Sequence, residues 1–342
     1  MIVMHNFLHL IMGAPGENEF GYSSEKFQYF LDGLWNTPAD FVRIIFSYLG
    51  HYGVQVFFFL SGYGVALKYR DHIPSWWSFV KKRLLSLYPA ILVAACGYLI
   101  YVGLRLGSEE VFAIEGWNLV RQITGVSNFI PDNIYHPIGP WWFIGVIVQF
   151  YLLVPFFLKQ KLWNRTAFLL GLIITSILLE YFLGPVLRQK FSLNINHTIL
   201  GHLDVCGLGM LAAHYKKLTI PLWVFATACA LFVLGNYGAT MWIIAALAMT
   251  ILLIPLLRIL VITCSKSQIL DRAMLYLGGL SMYLFLCNGY LRSPLLDWAK
   301  DDPSWWKSIC LCIIFICFII VWAIFLRRIE QKLKQIISAK NG

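Results

Sequence analysis

Charge is what this chain has least of: Asp, Glu, Lys and Arg make up only 13% of its 342 residues, while 59% are apolar and 16% aromatic. That excludes an ordinary soluble domain, in which charged residues are roughly a quarter of the total. No polar stretch between the apolar blocks is long enough to fold as a soluble domain, and no inverted repeat of the kind many transporters carry is evident. Metal-ligand spacing is also missing. The eight cysteines, Cys96, Cys206, Cys229, Cys264, Cys287, Cys310, Cys312 and Cys317, lie mostly inside apolar segments, where a thiol behaves as a small hydrophobe. Cys310 and Cys312 would point to different faces of a helix, so no metal is expected from them. The start of the chain lacks the basic stretch and small-residue cleavage site of a secretory signal, and no cleavable leader is expected.

What is present comes in continuous apolar blocks of about 17 to 28 residues, the pattern of spanning helices rather than of alternating barrel strands. They predict an all-α, polytopic membrane bundle of about ten transmembrane helices, organised as one domain over residues 1–342. The segments are 1–12, 41–68, 84–104, 139–158, 166–185, 197–214, 219–235, 239–260, 274–293 and 307–327. Charge placement supports the count, because Lys and Arg gather in alternate, cytoplasmic connections. Lys68, Arg70, Lys81, Lys82 and Arg83 occupy one such connection; Lys159, Lys161 and Arg165, then Lys216 and Lys217, then Lys266 and Arg272 occupy the next three. Arg327, Arg328, Lys332 and Lys334 add the tail. Acids gather in the others: Glu17, Glu19, Glu25, Asp32 and Asp40; Glu109, Glu110, Glu115 and Asp132; Asp297, Asp301 and Asp302. Both termini are therefore expected in the cytoplasm. The formal net charge of +10 is that of a basic cytoplasmic face and calls for no nucleic-acid partner.

The first segment is short. About 12 residues of helix rise only ~18 Å, against the ~30 Å of a hydrocarbon core. The expectation is a first helix truncated at its cytoplasmic end. His5 lies within it, and an ionisable group at membrane depth is a functional-site hypothesis by default. An interfacial histidine near a chain end is the bland alternative. If the helix ends near Gly13, His5 lies roughly 12 Å below the outer boundary, near mid-depth. His9 shares its face, one turn nearer the exterior.

Other polar residues fall inside apolar segments. His202 and Asp204 lie in the sixth, where a buried carboxylate demands a partner or a polar cavity. Glu180 lies nearer the outer end of its helix and is expected to reach water. The second segment carries Gly50-His51-Tyr52-Gly53 and ends in Ser61-Gly62-Tyr63-Gly64, small residues that permit close approach of a helix or ligand. Lys81, Lys82 and Arg83 stand at the cytoplasmic mouth of the third. Cations there suit the phosphates of a donor molecule, although topology alone also accounts for them. His136 and the Trp141-Trp142 pair enter the fourth segment from outside, where tryptophans suit an interfacial belt.

The run Phe57-Phe58-Phe59-Leu60-Ser61-Gly62-Tyr63, the basic stretch leading through Arg83 to Pro89, Trp141-Trp142-Phe143 with Tyr151, and Leu277-Gly278-Gly279-Leu280-Ser281-Met282-Tyr283 occur in an order that resembles the acyltransferase-3 family of membrane O-acyltransferases. The resemblance covers nearly the whole chain. It implies transfer of an acyl group, typically acetyl, from a cytoplasmic acyl-coenzyme A to a sugar hydroxyl of a surface or lipid-linked glycan. It also implies a multi-pass protein of a bacterial-type inner or plasma membrane, with membrane lipids as neighbours and no bound cofactor beyond the donor substrate.

The resemblance implies His5 as the catalytic centre, since Met4-His5-Asn6-Phe7 matches the histidine end of the family's first-helix motif. The arginine expected eleven positions earlier has no place in this sequence. Lys81, Lys82 and Arg83 are the implied donor-binding set, although Ser86 stands where many members have a second arginine. Asn288 stands where a histidine is common. His9, Ser61, His202, Asp204 and Asn288 complete the candidate polar groups, and no metal is expected. An alcohol needs a base as it attacks, and neutral imidazole supplies one near pH 7. Two other readings stay open: a transporter or flippase for a lipid-linked glycan, and a degenerate, non-catalytic family member.

Overall fold

A chain this apolar satisfies its backbone groups without water by winding into helices. The computed structural model describes residues 1–11, 16–107, 109, 115–159, 162–216 and 218–340, and among these there is no β-strand. Met12, Gly13, Glu110, Lys161 and Lys217, which entered the reading of the first helix and the charged loops, lie outside the described residues.

In chain order the helices are α1 (Ile2–Leu8), α2 (Ser24–Asn36), α3 (Phe41–Leu49), α4 (Tyr52–Lys68), α5 (Trp76–Leu106), α6 (Gly116–Ile123), α7 (Trp142–Leu158) and α8 (Leu162–Phe191). There follow α9 (Leu203–Tyr215), α10 (Leu222–Tyr237), α11 (Ala239–Ser265), α12 (Gln268–Asn288), α13 (Ser293–Asp301) and α14 (Trp305–Lys340). Each of the ten expected segments corresponds to helix, but not each to a spanning one. Among the described residues six helices, α5, α7, α8, α11, α12 and α14, are long and apolar enough to cross a membrane. A seventh crossing is α3 with α4, taken as one span bent by 49°.

The shortfall has local causes. The expected 41–68 helix breaks at Gly50-His51. The segment at 197–214 enters through two single 3-10 turns, Ile195–His197 and Ile199–His202, because the Asn194 side chain accepts the Asn196 N–H at 3.0 Å and turns the backbone there. Regular helix then begins only at Leu203, and the 13 residues of α9 rise ~20 Å. α10 has 16 residues, and α12 stops at Asn288, five residues before the expected end.

Many large apolar side chains face outward. On α11, Leu256, Ile259, Leu260, Val261 and Ile262 are all exposed. A soluble surface rarely carries so continuous an apolar patch, whereas a lipid-facing helix does so by design. Inside, one core gathers Phe7, Ile91, Trp141, Leu286 and Phe315; a second gathers Phe58, Val146, Phe150, Val205 and Cys206.

Loops sort onto two ends as their charges suggested. At one end the Trp242 indole donates to the Asn18 carbonyl (2.9 Å), Asn194 to that of Phe20 (2.6 Å), and Arg43 to that of Pro303 (2.6 Å). The acid-rich connections therefore meet there. At the other end Arg70 after α4, Arg165 near the start of α8 and His214 near the end of α9 line one small cavity, and the Thr166 and Tyr215 hydroxyls bond at 2.8 Å.

α4 and α9 pack backbone to backbone. A Cβ on Gly62 would overlap the Cys206 carbonyl, and one on Gly209 would overlap that of Phe59, so neither position admits a side chain at this spacing. That contact sets His202 beside Gln55 and packs it against Phe58.

Candidate active site

His5 lies on α1, buried against the bend between α3 and α4. Its Nδ1–H donates to the Phe46 carbonyl at 3.0 Å, the same oxygen that accepts the Gly50 N–H at 3.1 Å. A carbonyl can only accept, so this bond places the ring proton on Nδ1 and leaves Nε2 with a free lone pair. His9 follows one turn later and donates Nδ1–H to the His5 carbonyl at 2.6 Å. The two rings stack 4.4 Å apart at 10°, and the His51 ring meets His5 edge-on at 5.8 Å.

His5 and His9 border a cavity of about 330 Å³ at the acid-rich end, lined also by Asn6, Glu17, Glu19, Trp142 and Arg292. One ligand atom each of His5, His9 and Glu17 lies within 4.8 Å of the others. Arg292, between α12 and α13, donates to the Asn6 carbonyl at 2.6 Å, and the Asn6 amide donates to Asn288 Oδ1 at 3.0 Å. The strand of contacts Arg292–Asn6–Asn288 thus holds α1 in register. Burial lowers the Arg292 pKa to about 10, which leaves it a cation at neutral pH. Burial, helped by the Glu17 charge, holds the Glu19 carboxyl well above the usual carboxylate range.

Beyond Asn288 the space turns apolar. A cavity of about 250 Å³ touches Ile2, Phe57, Ser281 and Asn288, and a second of about 200 Å³ touches Ile2, Phe57, Ser61, Ser281 and Tyr151. Shared walls make them successive chambers that begin at Asn288, the partner of Asn6, and run toward the basic end. Tyr151 closes the series, and the Arg83 guanidinium lies 5.6 Å from its ring centroid. Arg83 also faces the rings of Phe79 (5.4 Å) and Tyr69 (5.5 Å).

Of the expected donor set, only Arg83 is tucked into this aromatic wall; Lys81 and Lys82 stand exposed on the next positions of α5. Successive helical residues diverge by about 100°, so three adjacent cations do not converge on one point. Ser61 lines the apolar chamber, and Asn288 braces α1 through Asn6. His202 and Asp204 belong elsewhere. They line a smaller polar cavity of about 20 Å³ with Gln55, His51, Glu180 and Asn196, which shares Glu19 with the His5 cavity. His202 Nε2–H donates to the Asn196 carbonyl at 2.8 Å, and the Asn196 amide donates to Glu180 at 2.8 Å. Glu180, half-buried, joins this cluster through its bond to Asn196. The polar surroundings expected for Asp204 are present, and His51 links the two sites.

Glu17, Asn6 and Arg292 were not singled out from sequence. Glu17 was counted only as a topological acid, and Arg292 fell inside an apolar run. A cation at the acid-rich end of a helix was the one available signal for the latter.

A family model described as an acyltransferase domain matches residues 1–328. A curated relative, "Regulator of hypoxia-inducible factor 1" from Caenorhabditis elegans, is 31% identical over 116 residues, covering 31% of this chain and 23% of that protein. The match therefore spans less than a quarter of that relative's length. No solved structure matches. The family model supports acyl transfer as the class of reaction, and with the outward-facing apolar helices it makes this a multi-pass membrane protein. Matched along nearly its whole length by that model, the chain belongs to the acyltransferase-3 family.

Proposed function

We propose that the protein is a membrane O-acyltransferase that moves an acyl group, acetyl in the simplest case, from acyl-coenzyme A to a hydroxyl of a cell-surface or lipid-linked glycan. In this reading the chain crosses a bacterial-type plasma membrane ten times with both termini in the cytoplasm. Its basic end then faces the donor and its acid-rich end the acceptor. The short helices α1, α9 and α10 would complete their crossings with bilayer thinning or flanking turns.

The observation that carries the reading is the placement of His5. It lines the polar cavity of about 330 Å³, while Ile2 on the same helix and Asn288, bonded to its neighbour Asn6, line the apolar chambers that lead toward Arg83. Arg83, with Lys81 and Lys82 at the surface, would hold the donor phosphates while the thioester arm threads the chambers. In the polar cavity Trp142 offers an apolar face for a sugar ring, and Glu17 accepts hydroxyl hydrogens. His5 Nε2 takes the proton of the acceptor hydroxyl as its oxygen bonds to the thioester carbonyl carbon. The C–S bond then breaks, and the proton returns from His5 to the departing sulfur, giving an ester and free coenzyme A. No cofactor enters the balance.

Vesicles holding the purified protein, given radiolabelled acetyl-coenzyme A and a glycan acceptor, test this. Labelled, base-labile product is expected from the wild type and not from His5→Ala. Product from the His5→Ala protein would remove the assignment, and transport of unmodified glycan without labelling would favour a flippase.

A further inference from the structure

His5 and His9 stand one turn apart on α1, and Glu17 arrives from the connection that follows. One ligand atom from each falls within 4.8 Å of the other two. Both imidazoles already give Nδ1–H to backbone carbonyls, those of Phe46 and His5. This is the outer hydrogen bond that orients a metal-ligating histidine and leaves Nε2 free to bind. Stacking at 4.4 Å and 10° sets the two donors side by side. Two imidazoles, one carboxylate and an open side facing a cavity form the donor set of a three-ligand zinc site with room for a fourth, exchangeable ligand. Magnesium and calcium prefer oxygen donors and fit this set poorly. Arg292 opposes a cation here, and the Glu17 carboxylate, which borders the same cavity, offsets it.

We propose that His5, His9 and Glu17 bind one zinc ion, and that the ion, by occupying the free nitrogen of His5, blocks proton abstraction by that residue. Binding is independent of the function proposed above; the inhibitory consequence rests on it. Zinc would then act as a brake on acyl transfer, competing for the lone pair that the reaction uses.

The test uses the full chain purified in detergent and stripped with a chelator, then titrated with zinc against a metal indicator, with elemental analysis for stoichiometry. One zinc per chain is expected. His9→Ala and the isosteric Glu17→Gln should each weaken binding by more than about tenfold, at least the loss seen when only an outer partner of a metal ligand is removed. Magnesium should not compete. Failure of the wild type to retain zinc, or wild-type affinity in both variants, would overturn the site. In vesicles, the ratio of acyl transfer with zinc to transfer with chelator should be low for the wild type and should rise for His9→Ala. Zinc bound without effect on transfer overturns the brake. Zinc bound by a protein that transfers no acyl group leaves the site standing and defeats the proposed function instead.

Discussion

The Cα of Gly50 lies so close to His5 that any side chain at position 50 would overlap the His5 Cβ and the Phe46 carbonyl. The bend between α3 and α4 is therefore the seat of the histidine, and Gly50 is the residue that lets α1 settle there. The same carbonyl that a side chain would strike orients the His5 ring.

Gly50→Ala should consequently damage the site more than the fold. Relieving the overlap requires α1 or the bend to shift, at an overpacking cost of about 1–3 kcal/mol. Acyl transfer should fall by tenfold or more while insertion and helix content are kept, measured as turnover in vesicles beside circular dichroism. Unchanged turnover would show that His5 does not depend on this seat.

Removing His5 itself is expected to cost about 10²–10⁴ in kcat, the range for loss of a general base. His5→Gln keeps volume and a hydrogen bond to Phe46 but supplies no base, so it should be as inactive as His5→Ala. Rescue of His5→Ala by added imidazole would strengthen the case; a glutamine variant with full activity would end it.

Arg292 acts on the site through the Asn6 carbonyl. Arg292→Met leaves that acceptor unpaired, and loss of a buried bond to a charged donor costs about 1.5–3 kcal/mol. The thermal midpoint should drop, and kcat should fall more than either KM rises. Arg292→Lys should recover part of both, because it keeps the charge with a shorter reach. A variant with raised acceptor KM and unchanged kcat would make Arg292 a substrate contact instead of a positioning residue.

Arg83 should matter more to the donor than its neighbours do. It faces Tyr151 at the mouth of the apolar chambers, whereas Lys81 and Lys82 point into open solvent. Arg83→Met is expected to raise the KM for acyl-coenzyme A about tenfold, equivalent to ~1.4 kcal/mol, with little change for the acceptor. Lys81→Met and Lys82→Met should each have smaller effects. Equal effects from all three would indicate a diffuse basic surface.

The Glu19 carboxyl is held above its ordinary range by burial, so its folded state binds its proton more tightly than the unfolded chain does. Stability from this group is greatest at low pH and is lost as pH rises past the unfolded carboxyl range toward the folded pKa. Glu19→Gln, always neutral, should therefore unfold at a higher temperature than wild type at neutral pH. The difference should vanish in acid. A variant less stable than wild type at neutral pH would mean that the ionised carboxylate has a partner there.

Much of the architecture was legible because it depends on properties summed over many residues. Apolar blocks marked the helices, and alternating charge marked which loops share an end; the contacts of Asn18, Phe20 and Pro303 at one end and of Arg70 and Arg165 at the other agree. Where single residues decide, the reading was too coarse. The break at Gly50-His51 divides an unbroken apolar run, and Asn194 and Asn196 convert an expected helix start into turns. His9 was placed correctly on the face of His5, since helical spacing alone determines that. His202 and Asp204, expected as supporting polar groups to His5, line a smaller cavity that meets the His5 cavity at Glu19, because helix packing rather than depth sets which groups share a space.

By itself, then, the sequence determined the helical class, the segregation of charge between the two ends, and the presence of a histidine on a short first helix. Those follow from hydropathy and from 3.6-residue periodicity, which act along the chain. Only the tertiary structure decided that His5 faces Phe46, that Arg292 reaches Asn6 across the chain, and that Glu17 joins the two histidines. The first two contacts bring together residues far apart in sequence, the third joins a helix to the connection after it, and no local periodicity encodes either.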